Sequence, residues 1–501
     1  MMSKIHSIQQ QHFHVKLCGN ESDGLALQNR LSNLCQAELA PALEQVLNRY
    51  APQTGHLFID HLEINAGTIA LERLEHDLVE SVTQAIEKIL RDLPQSDQRQ
   101  RITTVNVQHK TEQQFIFDAF LYFLRLGRLP WSFHVPEGKN LEQAILDTWR
   151  DNLLNPNIDA VYSVLTLSRA RKRLVRQFSE VFLATLLEHI APDIKKIIDA
   201  ILPRLQCAEI PADVSQTFIM QLWETSFALI RAPGNYTETR IIGTAWHELP
   251  VTMTQQSPLA NLLEHHWPNV TNNAKSLASH KGRIREAATE QLSKANTNKT
   301  STHALLASKK RADNNPDPII SLVDEIRQSN QQQEEREGIY IENAGLVLLH
   351  PFLPQFFKAL HVADEESLIQ PERALCLLHY LTTGQRIAPE YELVLPKILC
   401  NLPLESLTES DMQLTDSETA EATALLEAVI RHWEVLKNTG IDGLRGTFLL
   451  RPGKITLQDD GDWRLQLESR AYDILLAQLP WGIGLIKLPW MQRTLWVEWA
   501  C

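Results

Sequence analysis

Five pairs of side chains in this sequence have the types and spacing from which acid/base, nucleophilic or metal chemistry is built. Asp60 with Glu63 and Glu390 with Glu392 are carboxylate pairs of the kind that divide general acid and general base roles. Cys376 and His379 stand three apart in ALCLLHYL, a spacing that makes them neighbours on a helix and would let an imidazole activate a thiol. His265-His266, and His12 with His14, are histidine pairs of the kind that begin a metal site. Each acid/base or nucleophile pair lies on or beside an apolar segment without a recognisable third partner, and the histidine pairs lack further ligands. A core thiol and a capping or surface histidine explain Cys376 and His379. The chain also lacks GxxxxGK before Ser or Thr, GxGxxG, GxSxG and HExxH, so the local signatures of phosphate cradles, dinucleotide folds, hydrolase elbows and helical zinc sites are missing. The expectation is a protein with no catalytic, cofactor-binding or metal-ligating residues.

The elements that carry these side chains fall into regions of different pattern. Up to about Phe133, Phe13 to Leu17 reads as a strand. A helical stripe of Leu27, Leu31 and Leu34 follows, continuing as Leu39, Leu43, Val46 and Leu47 after a register change near Pro41. LFIDHLEI, from Leu57 to Ile64, reads as extended and closes at the turn signal Asn65-Ala66-Gly67. A second helix carries Leu71, Leu74, Leu78, Val82, Ile86 and Ile89, and a buried helix from Phe115 to Leu126 stops at Gly127 and Pro130-Trp131. From about Leu141 to Ser257 the period is helical throughout, as in Ile194, Ile197, Ile198, Ile201 and Leu202 opposite Asp193, Lys195, Lys196 and Asp199. The basic run Arg169, Arg171, Lys172, Arg173 and Arg176 opens the helix of Val175, Phe178, Val181 and Phe182 and reads as a solvated or salt-bridged face.

Between about Gln255 and Gln333 the composition turns to Asn, Thr, Ser, Ala, Lys and Gln, with too little apolar area to offset chain entropy, which predicts a flexible, locally basic linker. Beyond Ile339, apolar helices are expected at Gly345 to Leu360, Ala374 to Leu381 and Leu425 to Leu436. Thr447 to Arg451, Lys454 to Gln458 and Trp463 to Glu468 alternate as short strands around Pro452-Gly453 and Asp459-Asp460-Gly461-Asp462, the pattern of a small antiparallel sheet. The expected fold class is α+β and predominantly helical. A mixed α/β N-terminal domain (1–135) and a helical region (136–254) precede the polar flexible linker (255–336) and a C-terminal anchoring domain of helices plus a small antiparallel sheet (337–501).

A chain of 501 residues, 44% hydrophobic, has the length for about two to four domains. No signal peptide and no membrane span is expected, since the N-terminus is polar and no apolar run reaches about 18 residues. Cys18, Cys35, Cys207, Cys376, Cys400 and Cys501 show no metal spacing and read as reduced thiols. A net charge of -13 argues against sequence-general nucleic-acid binding, which needs a basic face.

Several separated segments, in order, closely resemble the contractile injection system tape measure family. They are IENAGLVLLHPFLPQFF (Ile341 to Phe357), LLHYLTTG (Leu377 to Gly384), YELVLPKILCNLPL (Tyr391 to Leu404), VIRHWEVLKNTGIDGLRGTFLLRPG (Val429 to Gly453), DILLAQLPW (Asp473 to Trp481) and KLPWM (Lys487 to Met491). FIDHLEINAG (Phe58 to Gly67) and FLYFLRLGRLPW (Phe120 to Trp131) are similar to the same family's opening domain. The resemblance implies a non-enzymatic assembly protein of a contractile phage-tail-like injection particle, one that sets tail length while occupying the inner tube during polymerisation. The alternative is an assembly chaperone or baseplate/tube adaptor absent from the mature particle. Implied partners are the inner tube, spike/baseplate and tail-terminator proteins, with a possible homo-oligomer within the tube, no nucleic acid, no membrane anchor and no cofactor. The implied location is the cytoplasm during assembly and then the lumen of the tube. Trp481, Trp490, Trp496 and Trp499 are the expected partner-binding residues, because amphipathic aromatics supply contact area at interfaces.

Overall fold

The computed structural model describes residues 6–17, 21–92, 107–136, 138–150, 158–206, 210–231, 235–249, 258–268, 333, 335–409 and 412–499. The expected class holds: the chain is predominantly helical, with two small sheets. It clusters into two compact units, Met1–Phe120 with Pro130–Leu154, and Leu121–Leu129 with Asn155–Cys501.

In the first unit the predicted register change is a π turn, Cys35–Leu39, between the helices Glu21–Leu34 and Ala40–Tyr50. Pro41 has no N–H to donate, and a widened turn immediately before it re-aims the apolar stripe. Leu39, Leu43 and Val46 then pack on Ile86 and Leu90 of the helix Leu74–Asp92. Residues 13–17 form no strand, and Phe13 is exposed. The extended segment at Leu57 is shorter than expected. Strand β1, His56–Ile59, pairs antiparallel with β2, Val107–Lys110, and ends where its four-residue partner ends. Phe115, in the helix Glu112–Leu126, sits 5.2 Å from Phe58 and 5.3 Å from Phe133, ring centre to ring centre.

The second unit begins with the end of that helix, closed as expected by Gly127 at φ +75°, whose N–H bonds Phe123 O at 2.8 Å. The helices Ile158–Leu165, Ser168–Gln177, Glu180–Ile190, Pro192–Gln206, Ala212–Leu229 and Glu238–Glu248 follow. The helix expected to run from the basic cluster through Phe182 is two helices. Phe178 is extended, Ser179 caps the second by accepting the Phe182 N–H, and Val181 is left exposed. Ordered chain continues past the expected start of the linker. The helix Pro258–His266 buries Leu259 and Leu263, and Trp267 donates to Glu238 at 2.7 Å. Residues 269–332, which hold most of the predicted linker, lie outside the described residues.

The C-terminal core of this unit is drawn wholly from residues between Ile339 and Trp499. The tight turn Ala344–Leu349 runs through it, and Gly345 backs so closely onto the chain that an added Cβ would stand 1.6 Å from Phe448 O. Around it lie the helices Leu353–Ala359, Pro371–Thr383, Val394–Leu399 and Asp416–His432, the last with a capping box from Thr415 and Glu418. Strands β3 (Ile339–Ile341), β4 (Gly453–Leu457), β5 (Trp463–Leu467), β6 (Leu485–Ile486) and β7 (Leu495–Trp499) form one sheet in the order β3-β4-β5-β7-β6. The predicted β4–β5 hairpin is present, but β5 and β7 are parallel, so the sheet is mixed rather than antiparallel. Thr447 to Leu449 belong to a π turn, Arg445–Leu449, and are not a strand. Phe448 and Leu449 are both buried, and adjacent side chains of a strand would point to opposite faces.

Candidate functional site

The short turn Glu390–Glu392 sends its two carboxylates to different partners. Glu390 is buried and takes two N–H bonds from Arg173, Nε to Oε2 at 3.0 Å and Nη2 to Oε1 at 3.1 Å, and one from Lys397 Nζ at 2.9 Å. The donors left over go to main-chain oxygens. Arg173 reaches Leu124 O at 2.7 Å and Glu405 O at 3.3 Å, while Lys397 reaches Leu404 O at 2.9 Å and Ser406 O at 2.7 Å. Two cations therefore share one buried carboxylate, the excess charge resting on carbonyl dipoles that include the last turn of the helix ending at Leu126. Burial pushes the Lys397 ammonium down, and the adjacent Glu390 carboxylate works the other way. Gln177 completes the arrangement, accepting the Glu390 N–H at 2.9 Å and donating to Thr408 O at 2.8 Å. Within the basic run Arg169 and Lys172 are exposed and Arg169 and Arg173 are salt-bridged, as expected of that face, but Arg173 is fully buried.

Cys376 and His379 share the helix Pro371–Thr383 but serve different surroundings. Burial pushes the thiol up to about 11, and the charges that act on it are those of Arg373, Glu372 and Glu418. It is protonated at neutral pH and is a poor nucleophile. His379 is fully buried, not at the surface or a cap, with Nε2 2.7 Å from Glu392 Oε2. Burial also raises the Cys400 thiol. Asp60 and Glu63 are exposed, as are His12, His14, His265 and His266. Among the described residues no three His, Cys, Asp or Glu side chains are grouped to hold a metal ion.

The four tryptophans separate by exposure. Trp490 is buried against Phe357 and donates to Leu399 O at 2.8 Å. Trp499 is buried 5.2 Å from the Arg451 guanidinium, and Trp481 is half-buried, edge-on to Phe352 and donating to Leu348 O at 3.0 Å. Trp496 faces outward at 44% exposure, held by a bond to Asp462 at 3.2 Å. It lies opposite Arg464 of β5 and Leu485 of β6 on the outer face of the sheet.

The Arg173–Glu390–Lys397 cluster and a second buried pair were not anticipated from the sequence. In the second, Arg451 forks onto Asp473 at 2.6 and 2.9 Å between the rings of Tyr472 and Trp499. A signal was present for each: Lys397 interrupts an otherwise apolar LVLPKIL, and Arg451 directly follows the apolar FLL. A lone charge in such a run has to be paired once the run is buried.

The sequence model of one protein family, described as contractile injection system tape measure protein, matches residues 5–499. No curated protein matches, and no solved structure does. None of the described helices is long and apolar enough to cross a membrane.

Proposed function

The chain belongs to the contractile injection system tape measure protein family, and on that premise we propose that it sets tail length as an assembly protein inside the growing inner tube. The observation that carries this reading is the extent of the family match, 5–499, which takes in both terminal regions and everything between them. Tube subunits polymerise around the protein, and growth stops where its far end is capped. Length then depends on how far the chain reaches, about 1.5 Å per residue as helix and about 3.3 Å when extended. The role is structural rather than catalytic. Its partners are the tube, spike/baseplate and terminator proteins, and Trp496 is the residue of the four best placed to meet one, since it alone among them is exposed.

The second reading, a chaperone or baseplate/tube adaptor that leaves the finished particle, is favoured by one observation: the helix Ser168–Gln177 and the turn Glu390–Glu392, on opposite sides of 269–332, are bonded to each other in one unit instead of standing apart. Purified particles decide between them. The length-setting protein is expected within intact particles, and its loss is expected to give tubes of uncontrolled length. Particles of normal length that lack it would support the chaperone and end the first reading.

A further inference from the structure

We propose that the Arg173–Glu390–Lys397 cluster is a releasable latch that closes the chain on itself, holding the helical region and the C-terminal region together as one body. The inference concerns the folded chain alone and does not depend on the length-setting role. Arg173 and Glu390 stand 217 residues apart, so their pairing closes a loop in which 269–332 is enclosed. The C-terminal core cluster lies wholly between Ile339 and Trp499, and across the seam Phe123 meets Tyr391 edge-on at 5.8 Å. The bonds across the seam are polar: both Arg173 contacts to Glu390 and those of Gln177 to the Glu390 N–H and Thr408 O. Gly127 lines the same seam, and a Cβ there would stand 2.5 Å from Glu390 Oε1.

A seam of this kind opens as a unit. Glu390 is the carboxylate bonded to both buried cations, so losing it strands both, and the carbonyls that help to hold them do not replace a carboxylate. An apolar seam would instead weaken in proportion to the area lost. Once the latch is released, the covalent connection between the two regions runs through 269–332.

The full chain, with a specific protease site inserted between Asn298 and Lys299, tests this after cleavage. Cut wild-type protein is expected to elute from a sizing column as one species at micromolar concentration. Cut Glu390→Gln is expected to resolve into two folded fragments, with association weakened about a hundredfold. Uncut Glu390→Gln is expected to show a larger radius of gyration by X-ray scattering at unchanged helical circular dichroism. Separation of the cut wild type, or retention of one species by cut Glu390→Gln, would overturn the latch. If Glu390→Gln loses helical signal, Gly127→Ala decides instead, because it crowds the same carboxylate while leaving all three charges in place. Gly127→Ala is expected to separate after cleavage, and failure to separate at full helical signal would equally overturn the proposal.

Discussion

A lysine set among Leu395, Pro396, Ile398 and Leu399 is costly unless it is paired, and the pairing found here fixes what its partners can do. Replacing Glu390 by Gln is expected to lower unfolding free energy by about 3–5 kcal/mol, whereas Arg173→Met with Glu390→Leu and Lys397→Met together is expected to be near neutral, because no charge is then orphaned. Urea unfolding of the two variants checks this, and equal losses would point to shape rather than charge. At Asp473, burial pushes the carboxyl up, but the bonds from Arg451 and the Arg470 N–H outweigh it and hold the group below the usual carboxylate range. A depressed carboxyl stabilises the fold above its unfolded pKa, and that contribution disappears as pH falls through the folded one. Asp473→Asn is therefore expected to be less stable than wild type at neutral pH and to converge with it below about pH 4 in thermal melts. The carboxylate pair and the Cys–His pair were legible in the sequence as residue types. Their partners were not, because Arg173 and Asp473 are brought to their charges by long-range packing that no local spacing encodes.

Helices were legible wherever the 3.6-residue period ran long, as at Leu71 to Ile89 or Leu425 to Val429, and stops were legible at Gly127 and Gly384, both at positive φ. Strands were less so. Val107–Lys110 carries three polar residues among its four, and β7 finds its parallel partner across more than twenty intervening residues, a pairing set by tertiary closure rather than by turn chemistry. β7 lies inside the sheet, hydrogen-bonded on both sides, and buries Leu495, Val497 and Trp499. Deleting Leu488 to Cys501 removes this strand and Trp490 together, so the expected outcome is loss of the C-terminal core. It would appear as a weakened near-ultraviolet tryptophan signal, to which Trp223, Trp246 and Trp267 of the helical region still contribute, and as loss of the C-terminal melting transition. Trp490→Ala alone is expected to cost about 3–5 kcal/mol, while Trp496→Ala should stay within about 0.5 kcal/mol. If Trp496 meets a partner, the second substitution lowers particle yield at unchanged melting temperature. Normal yield would remove it from the interface.

At the scale of the whole chain, the composition turns polar after about residue 255, but composition has no information about which body each flank joins. Both flanks belong to the second unit, Trp267 through Glu238 and Arg336 through Asp459, which bears directly on how such a chain could measure length. With the latch closed, residues 269–332 do not separate the helical and C-terminal regions, and shortening them leaves the reach of the protein unchanged. With the latch open, the same residues lie in series with the regions they join. Deleting about 40 residues between Thr271 and Ala312 then removes about 60 Å of reach if the stretch is helical and about 130 Å if extended. For a length-setting chain that opens inside the tube, electron micrographs of particles carrying this deletion are expected to show tails shortened by a fixed step in that range, with a narrow distribution and intact ends. Full-length tails that still contain the shortened protein would place the segment outside the measured span and imply that the body stays closed in the particle. A broad distribution would mean that the deletion had broken an end contact, leaving polymerisation without its stop. Pairing the deletion with Glu390→Gln separates these cases: if opening is what puts the segment in series, the double variant shortens tails by the same step as the deletion alone, because the latch is already released at the point where length is read.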